Sequence, residues 1–197
     1  MIIRPYVIEL LGTPEAGKTT VSKRLQDSLT QKGYTVSYIR ESAEIVPKEF
    51  LKGSIEAHIW MRLNTAKEVL HSLSCNADIV LVDRGIFDTL FWDTLFFKRG
   101  QLTSEELDIC QEFFKALKLY PDFVILLSTS PDEAIKRRGG EGRIVTKQFV
   151  EHYNKMLLDF FDEIHSPKYS LDTTFLSRDD VQRICEKIIE DNYNRAI

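Results

Sequence analysis

A glycine-flanked run ending in lysine and threonine, near the start of the chain, carries the clearest chemistry in the sequence. Gly12-Thr13-Pro14-Glu15-Ala16-Gly17-Lys18-Thr19, followed by Thr20, has the spacing GxxxxGK[ST]. Glycines let such a loop curl until successive main-chain N–H groups converge on one anion, and a helix beginning near Lys18 adds the positive end of its dipole. The Lys18 ammonium is placed to bridge two phosphates, and the Thr19 hydroxyl is a hard oxygen suited to Mg²⁺. The chemistry expected is capture of a nucleoside triphosphate through its β- and γ-phosphates.

Two further residues fit that chemistry if they lie beside the loop. Asp83 ends the apolar run Ile79 to Val82, where a carboxylate can hold Mg²⁺ directly or through water; capping the following helix is the other role open to it. Arg84 follows and offers a planar fork to phosphate oxygens.

Positioning these groups requires strands that end just before them. Tyr6 to Leu11 is a short apolar run stopped by Gly12, as expected of a strand buried on both faces. Val21, Leu25 and Leu29 then recur at helical spacing up to Gly33, and Tyr34 to Ile39 reads as a second strand. This β-loop-α-β order demands a parallel pair joined by a right-handed crossover. The series Ile55, Ile59, Leu63, Ala66, Leu70, Leu73 predicts a long helix with that face inward, and Asp78 to Asp83 the next strand.

Helices are predicted around Phe87 to Phe97 and through Leu107, Cys110, Phe114 and Leu117, the latter capped by Ser104. Phe123 to Leu127 is a strand, Pro131 to Arg138 a short helix and Gly139 to Arg143 an exposed loop. Phe149, Tyr153, Met156, Phe160 and Ile164 mark a longer helix, Leu171 a last strand, and Val181, Ile184 and Ile188 the inward face of a final helix. Strands alternating with helices imply an α/β fold: a five-stranded parallel sheet with helices on both faces, in one domain over residues 1–197. Ligands of such sheets bind at the carboxyl ends of the strands, so Gly12 to Thr20, Arg40-Glu41, Asp83-Arg84 and the segment after Ser128 are the positions of interest.

Composition removes several alternatives. A formal charge of -4 leaves no basic field to hold a polyanion, so nucleic acid is not an expected partner. Cys75, Cys110 and Cys185 are scattered, without CxxC or Cys/His ligand spacing, and the four histidines form no HExxH pattern; free thiols and no metal beyond Mg²⁺ are expected. Met1 to Pro5 does not read as a signal peptide and no apolar run reaches the roughly 20 residues of a membrane span, so a cytoplasmic protein without a membrane partner is expected.

Four stretches taken together resemble the thymidylate kinase and deoxynucleoside kinase group of P-loop kinases. They are the loop Gly12 to Thr20; Arg40-Glu41, where thymidylate kinases have Arg-Glu-Pro; the Asp83-Arg84 pair; and Pro121 to Leu127 with Pro131 to Arg138 and Gly142-Arg143-Ile144, similar to the family's fourth strand, following helix and lid. The resemblance implies a P-loop NTPase fold, ATP and Mg²⁺, a small-molecule phosphate acceptor, and a short arginine-bearing lid over about residues 137–146. It also implies that Arg137 lies over the adenine and that Arg143 reaches from the lid to the transferred phosphoryl group, and it allows a homodimer. Physically, an arginine on a loop flanked by Gly139, Gly140 and Gly142 suits charge neutralisation during closure; Arg137 and Arg138 also suit the C-terminal end of a helix dipole.

The acceptor stays open at this level. Glu41 is followed by Ser42-Ala43-Glu44 rather than Pro-Gly-Gly, and Arg84 by Gly85-Ile86-Phe87-Asp88, so thymidylate specificity does not follow. A hydroxyl acceptor needs a base such as Glu41, whereas an acceptor phosphate needs arginines such as Arg40 and Arg84. On the helix that would bind a nucleoside, His58, Trp60, Met61 and Arg62 are available, with Trp60 and Arg62 carried forward as substrate-binding candidates. Two other functions fit the same residues: a nucleotide-dependent switch ATPase with a protein partner, and a kinase for a ribosylated cofactor or an antibiotic.

Overall fold

The computed structural model describes residues 4–51, 53–142 and 145–196. Within them five strands, β1 (Tyr6–Gly12), β2 (Val36–Ile39), β3 (Ile79–Asp83), β4 (Phe123–Ser128) and β5 (Lys168–Asp172), form one sheet in the order β2-β3-β1-β4-β5. Every pairing is parallel. β1 and β3 lie side by side with Leu10 opposite Asp83, which brings Gly12 and Asp83 to the same edge.

Among the described residues seven α-helices cover the sheet: α1 (Lys18–Gln31), α2 (Ile55–Ser72), α3 (Ile86–Lys98), α4 (Ser104–Leu117), α5 (Pro131–Arg138), α6 (Lys147–Glu163) and α7 (Arg178–Ala196). Alternation along the strands divides the core in two. Val7, Leu11, Val80, Val82, Val124 and Leu126 face α2, α3, α4 and α6; Ile8, Leu10, Ile79, Leu81, Ile125 and Leu127 face Val21, Leu25 and Leu29 of α1 and Val181, Cys185 and Ile189 of α7. This is the doubly covered parallel sheet expected. Cys75, Cys110 and Cys185 are free thiols. Among the described residues no helix is long and apolar enough to cross a membrane.

Two local expectations change. Helix α4 is capped by Thr103, not Ser104: Thr103 Oγ1 accepts from Glu106 N while Glu106 Oε2 accepts from Thr103 N, a reciprocal box that the T-x-x-E spacing encodes. Helix α2 turns the other way from its apolar stripe. Ile59, Leu63 and Leu70 are 43%, 56% and 56% exposed, while His58, Thr65 and Ser72 are buried beside Ala57, Ala66 and Val69. The reason is partnership: His58 bonds Asp93, Thr65 bonds Ser42, and Ser72 bonds the Val69 carbonyl, which removes the cost of burying them.

Candidate active site

The phosphate loop is folded by close contacts rather than by side-chain caps. A Cβ on Gly12 would lie 2.3 Å from the Leu127 carbonyl oxygen, so only glycine lets β1 and β4 approach there. Glu15 (φ 58) and Gly17 (φ 93) take left-handed conformations that curl the loop into the start of α1. Thr13 anchors it: its N–H donates to Leu127 O at 3.0 Å, and its hydroxyl accepts from Thr129 N at 3.0 Å. Pro14 and Ala16 complete the turn, and Lys18 Nζ folds back to donate to Gly12 O (2.9 Å) and Thr13 O (3.0 Å). Burial, aided by the Arg84 charge, pushes the Lys18 ammonium down to about 7. An anion in the loop would reverse that shift.

Asp83 sits beneath this loop. Thr19 Oγ1 donates to its Oδ2 at 2.7 Å, and Tyr38 OH donates to the same oxygen at 3.2 Å. Its Oδ1 is buried with no partner among the described residues. A hydroxyl and a carboxylate oxygen with spare capacity, side by side, are the hard donors that Mg²⁺ takes. Burial and the Asp83 carboxylate raise the Tyr38 pKa, so this phenol keeps its proton.

Outside the loop lies a cavity of about 430 Å³ lined by Glu15, Gly17, Thr20, Arg137, Thr173 and Ser177, among others. Arg137 ties its walls together, donating to Glu15 O (3.2 Å), Thr173 Oγ1 (3.1 Å), Thr173 O (2.6 Å) and Glu133 Oε1 (3.1 Å). It reaches them from the last turn of α5, which Ser130 caps and Pro131 opens. Arg138 pairs with Glu15 at 3.5 Å. Arg143, assigned to the lid, lies outside the described residues.

On the other side of Lys18, a cavity of about 280 Å³ opens between the β2 end, α2 and α3, with Glu41, His58, Arg84, Asp88, Trp92 and Phe96 in its lining. Arg84 has φ 57, which swings its guanidinium into this space. Its Nε lies 3.1 Å from Glu41 Oε1, an ion pair without hydrogen-bond alignment, and Nη1 donates to Asp88 Oδ1 (3.3 Å) and Tyr153 OH (3.5 Å). Burial opposes the Arg84 charge, yet Asp88, Tyr153 and Glu41 together raise its pKa. Burial raises the Glu41 carboxyl above its ordinary range; Arg84 opposes the shift and Asp88 adds to it.

The residue that builds this end is one that sequence reading passed over. Glu9 lies inside β1, 1% exposed, and its carboxylate accepts from the N–H groups of Gly85 (2.9 Å), Phe87 (3.0 Å) and Asp88 (2.9 Å). It therefore caps α3, the role that had been open to Asp83, and fixes the turn carrying Arg84. Gly85 is required because a Cβ there would meet Glu9 Oε2 at 2.9 Å. Burial pushes the Glu9 carboxyl up to about 7, against the opposing pull of its three N–H donors. A lone acid in a strand buried on both faces was the available signal.

The fold thus brings Lys18, Thr19, Glu41, Asp83 and Arg84 together and sets Thr20 and Arg137 at the neighbouring cavity. Arg40 is exposed at the end of β2 and lines neither cavity. Trp60 and Arg62, carried forward as substrate-binding, do not line the cavity beside Glu41; His58, Met61 and Trp92 do. The correction is geometric: one helical turn after His58, Arg62 points at Asp93 of α3, and its guanidinium is held there.

Comparison with known proteins agrees with this architecture. The chain is 25% identical to a probable thymidylate kinase of Sulfurisphaera tokodaii over 203 aligned positions, covering 93% of this chain and 98% of the relative. It is 28% identical to a thymidylate kinase of Caldanaerobacter subterraneus, covering 80% and 84%. Among solved structures, deoxyadenosine kinase from M. mycoides superposes with a TM-score of 0.72 at 21% identity, covering 94% of this chain and 99% of that one. Thymidylate kinase from Candida albicans gives 0.64 at 18% identity, covering 96% and 94%. These likenesses show the P-loop NTPase fold. A family model described as thymidylate kinase matches residues 12–183, from the phosphate loop into α7, and the chain, an ATP-dependent nucleoside or nucleotide phosphotransferase, belongs to that family.

Proposed function

We propose that the chain moves the γ-phosphate of ATP to a hydroxyl of a neutral, nucleoside-sized acceptor seated between β2, α2 and α3. The charge around that cavity carries the reading: among the described residues its one arginine, Arg84, is already paired with two carboxylates, Glu41 and Asp88. An acceptor phosphate would meet excess negative charge there. A hydroxyl would meet a base. Glu41, half-buried and with its proton affinity raised by burial, takes the hydroxyl proton as the oxygen attacks.

Lys18 and the free main-chain N–H groups of the loop Gly12 to Thr20 hold the β- and γ-phosphates, and Arg137 with Thr173 borders the nucleotide's base. Thr19 and Asp83 are the residues that would hold Mg²⁺, which when bound neutralises charge on the β,γ-oxygens. Arg143, on a lid of about residues 137–146, supplies the last positive charge in one kinase domain over residues 1–197. The exposed α2 stripe of Ile59, Leu63 and Leu70 supports a homodimer, which sedimentation of Leu63→Glu against the unaltered chain tests.

The deciding measurement is ADP release over nucleosides, their monophosphates and riboside metabolites, with Lys18→Ala as blank. Nucleosides are expected to give the highest kcat/KM. A preference for monophosphates of roughly tenfold or more would overturn the hydroxyl reading.

A further inference from the structure

The apolar end of the acceptor cavity contains one ring nitrogen with nothing to bond. His58 is 2% exposed, lines the cavity, and packs its ring on Phe96 with centroids 4.8 Å apart. Its Nε2 lies 2.7 Å from Asp93 Oδ1, and the same oxygen accepts from Arg62 Nη2. Asp93 is wholly buried, and an ionised carboxylate only accepts, so the hydrogen between them belongs to Nε2. Arg62 supplies the counter-charge to Asp93, and the ring supplies that hydrogen. Nδ1 is the ring nitrogen that Asp93 does not engage.

Among the described residues no group is hydrogen-bonded to Nδ1. Asp93 Oδ2 and Arg62 Nε are buried without partners among the described residues, and His58 lines the cavity. Other polar groups nearby are engaged with each other: Asn64 Nδ2 donates to Ser42 Oγ at 3.1 Å, and Ser42 Oγ and Thr65 Oγ1 share a bond of 3.0 Å. Around them stand Val46, Ala57, Met61, Trp92 and Phe96, a lining suited to a flat ring.

We infer that His58 determines acceptor specificity: its Nδ1 accepts a hydrogen bond from an N–H group of a planar heterocycle, so the cavity selects a nucleobase that presents a ring or exocyclic N–H at that point. Asp93 and Arg62 act through the ring as positioning residues. A base without that hydrogen leaves Nδ1 desolvated and unpaired, which is the stronger half of the discrimination. The inference rests on the cavity being the acceptor site.

The test uses matched nucleosides: deoxyadenosine against purine 2′-deoxyriboside, deoxycytidine against 2-pyrimidinone 2′-deoxyriboside, and thymidine against N3-methylthymidine. In the pair containing the best substrate, removing the N–H is expected to lower kcat/KM on the order of tenfold to a hundredfold, mostly through KM. His58→Phe keeps the packing on Phe96 but has no lone pair, and is expected to shrink that preference below about threefold. An undiminished preference in the variant overturns the inference.

A second measurement does not depend on the variant folding. In the unaltered protein labelled with ¹⁵N-histidine, the His58 Nδ1 signal should be that of an unprotonated nitrogen and move upfield on saturation with the preferred nucleoside; a stationary signal overturns the inference. The indole signal of Trp92, assigned with Trp60→Phe, separates the two possible failures. If Trp92 responds and Nδ1 does not, only the role of His58 falls. If a nucleoside is phosphorylated without moving Trp92, or none is phosphorylated, the cavity assignment falls and takes this inference with it.

Discussion

The two sides of Lys18 are built on opposite principles. On the proposed nucleotide side, the groups offered to phosphate come from one continuous loop, Gly12 to Thr20, held by Thr13 and the β4 backbone. On the proposed acceptor side, Glu41, His58, Arg84, Asp88 and Trp92 arrive from the β2 end, α2, the β3–α3 turn and α3, so its polar side chains come from separate elements. Phosphate is the same in every nucleotide, so a backbone cradle suffices for it. Acceptors differ, and only side chains can be changed one at a time to follow them.

The contrast can be broken at its strongest point first. Lys18→Ala should lower kcat by roughly 10³-fold with any acceptor, because it removes charge from the transferred group rather than from the acceptor. An effect that depended on which acceptor was used would blur the two sides. Glu41→Gln comes next, expected to reduce kcat by about 10²-fold or more while KM for the acceptor stays within a few-fold. Steady-state kinetics with a nucleoside measures both; a change confined to KM would make Glu41 a binding group and not a base.

Glu9 joins the two sides from below, and its effect is on stability. Its carboxyl gives up its proton near 4.5 in the unfolded chain but only at about 7 in the fold. The folded state therefore holds the extra proton, and the stability this supplies at low pH is lost as pH rises from 4.5 through about 7. Glu9→Gln cannot titrate, so across that window the balance between variant and parent should shift toward the variant by roughly 3 kcal/mol, read from urea unfolding at each pH. A difference independent of pH would show that the carboxyl ionises normally. Smallest is the tryptophan pair: Trp92→Ala should raise acceptor KM by about tenfold or less, and Trp60→Phe should leave it within about twofold.

How much of this could be read in advance follows the same division. The phosphate loop was legible because its chemistry is contiguous: GxxxxGK[ST] between a strand and a helix places Gly12 to Thr20 without knowledge of anything distant. Asp83 and Arg84 were legible because a strand end in a parallel sheet faces the ligand edge. Helix α2 was misread in orientation, since hydropathy favours burying Ile59, Leu63 and Leu70 until Asp93 and Ser42 offer partners to His58 and Thr65. Glu9 was passed over because its three donors lie 76 to 79 residues away.

By itself the amino-acid sequence determined the α/β class and the transfer of phosphate, since each depends on residues that are neighbours in the chain or on a period of two or 3.6. Which side chains face the acceptor was decided only in three dimensions. Ion pairs between distant segments, Arg84 with Glu41 and Arg62 with Asp93, spend each arginine on a carboxylate and set the charge of the cavity that Glu41 and His58 line. No spacing within the chain encodes that choice, because it depends on which charges are left without water once the helices close on the sheet.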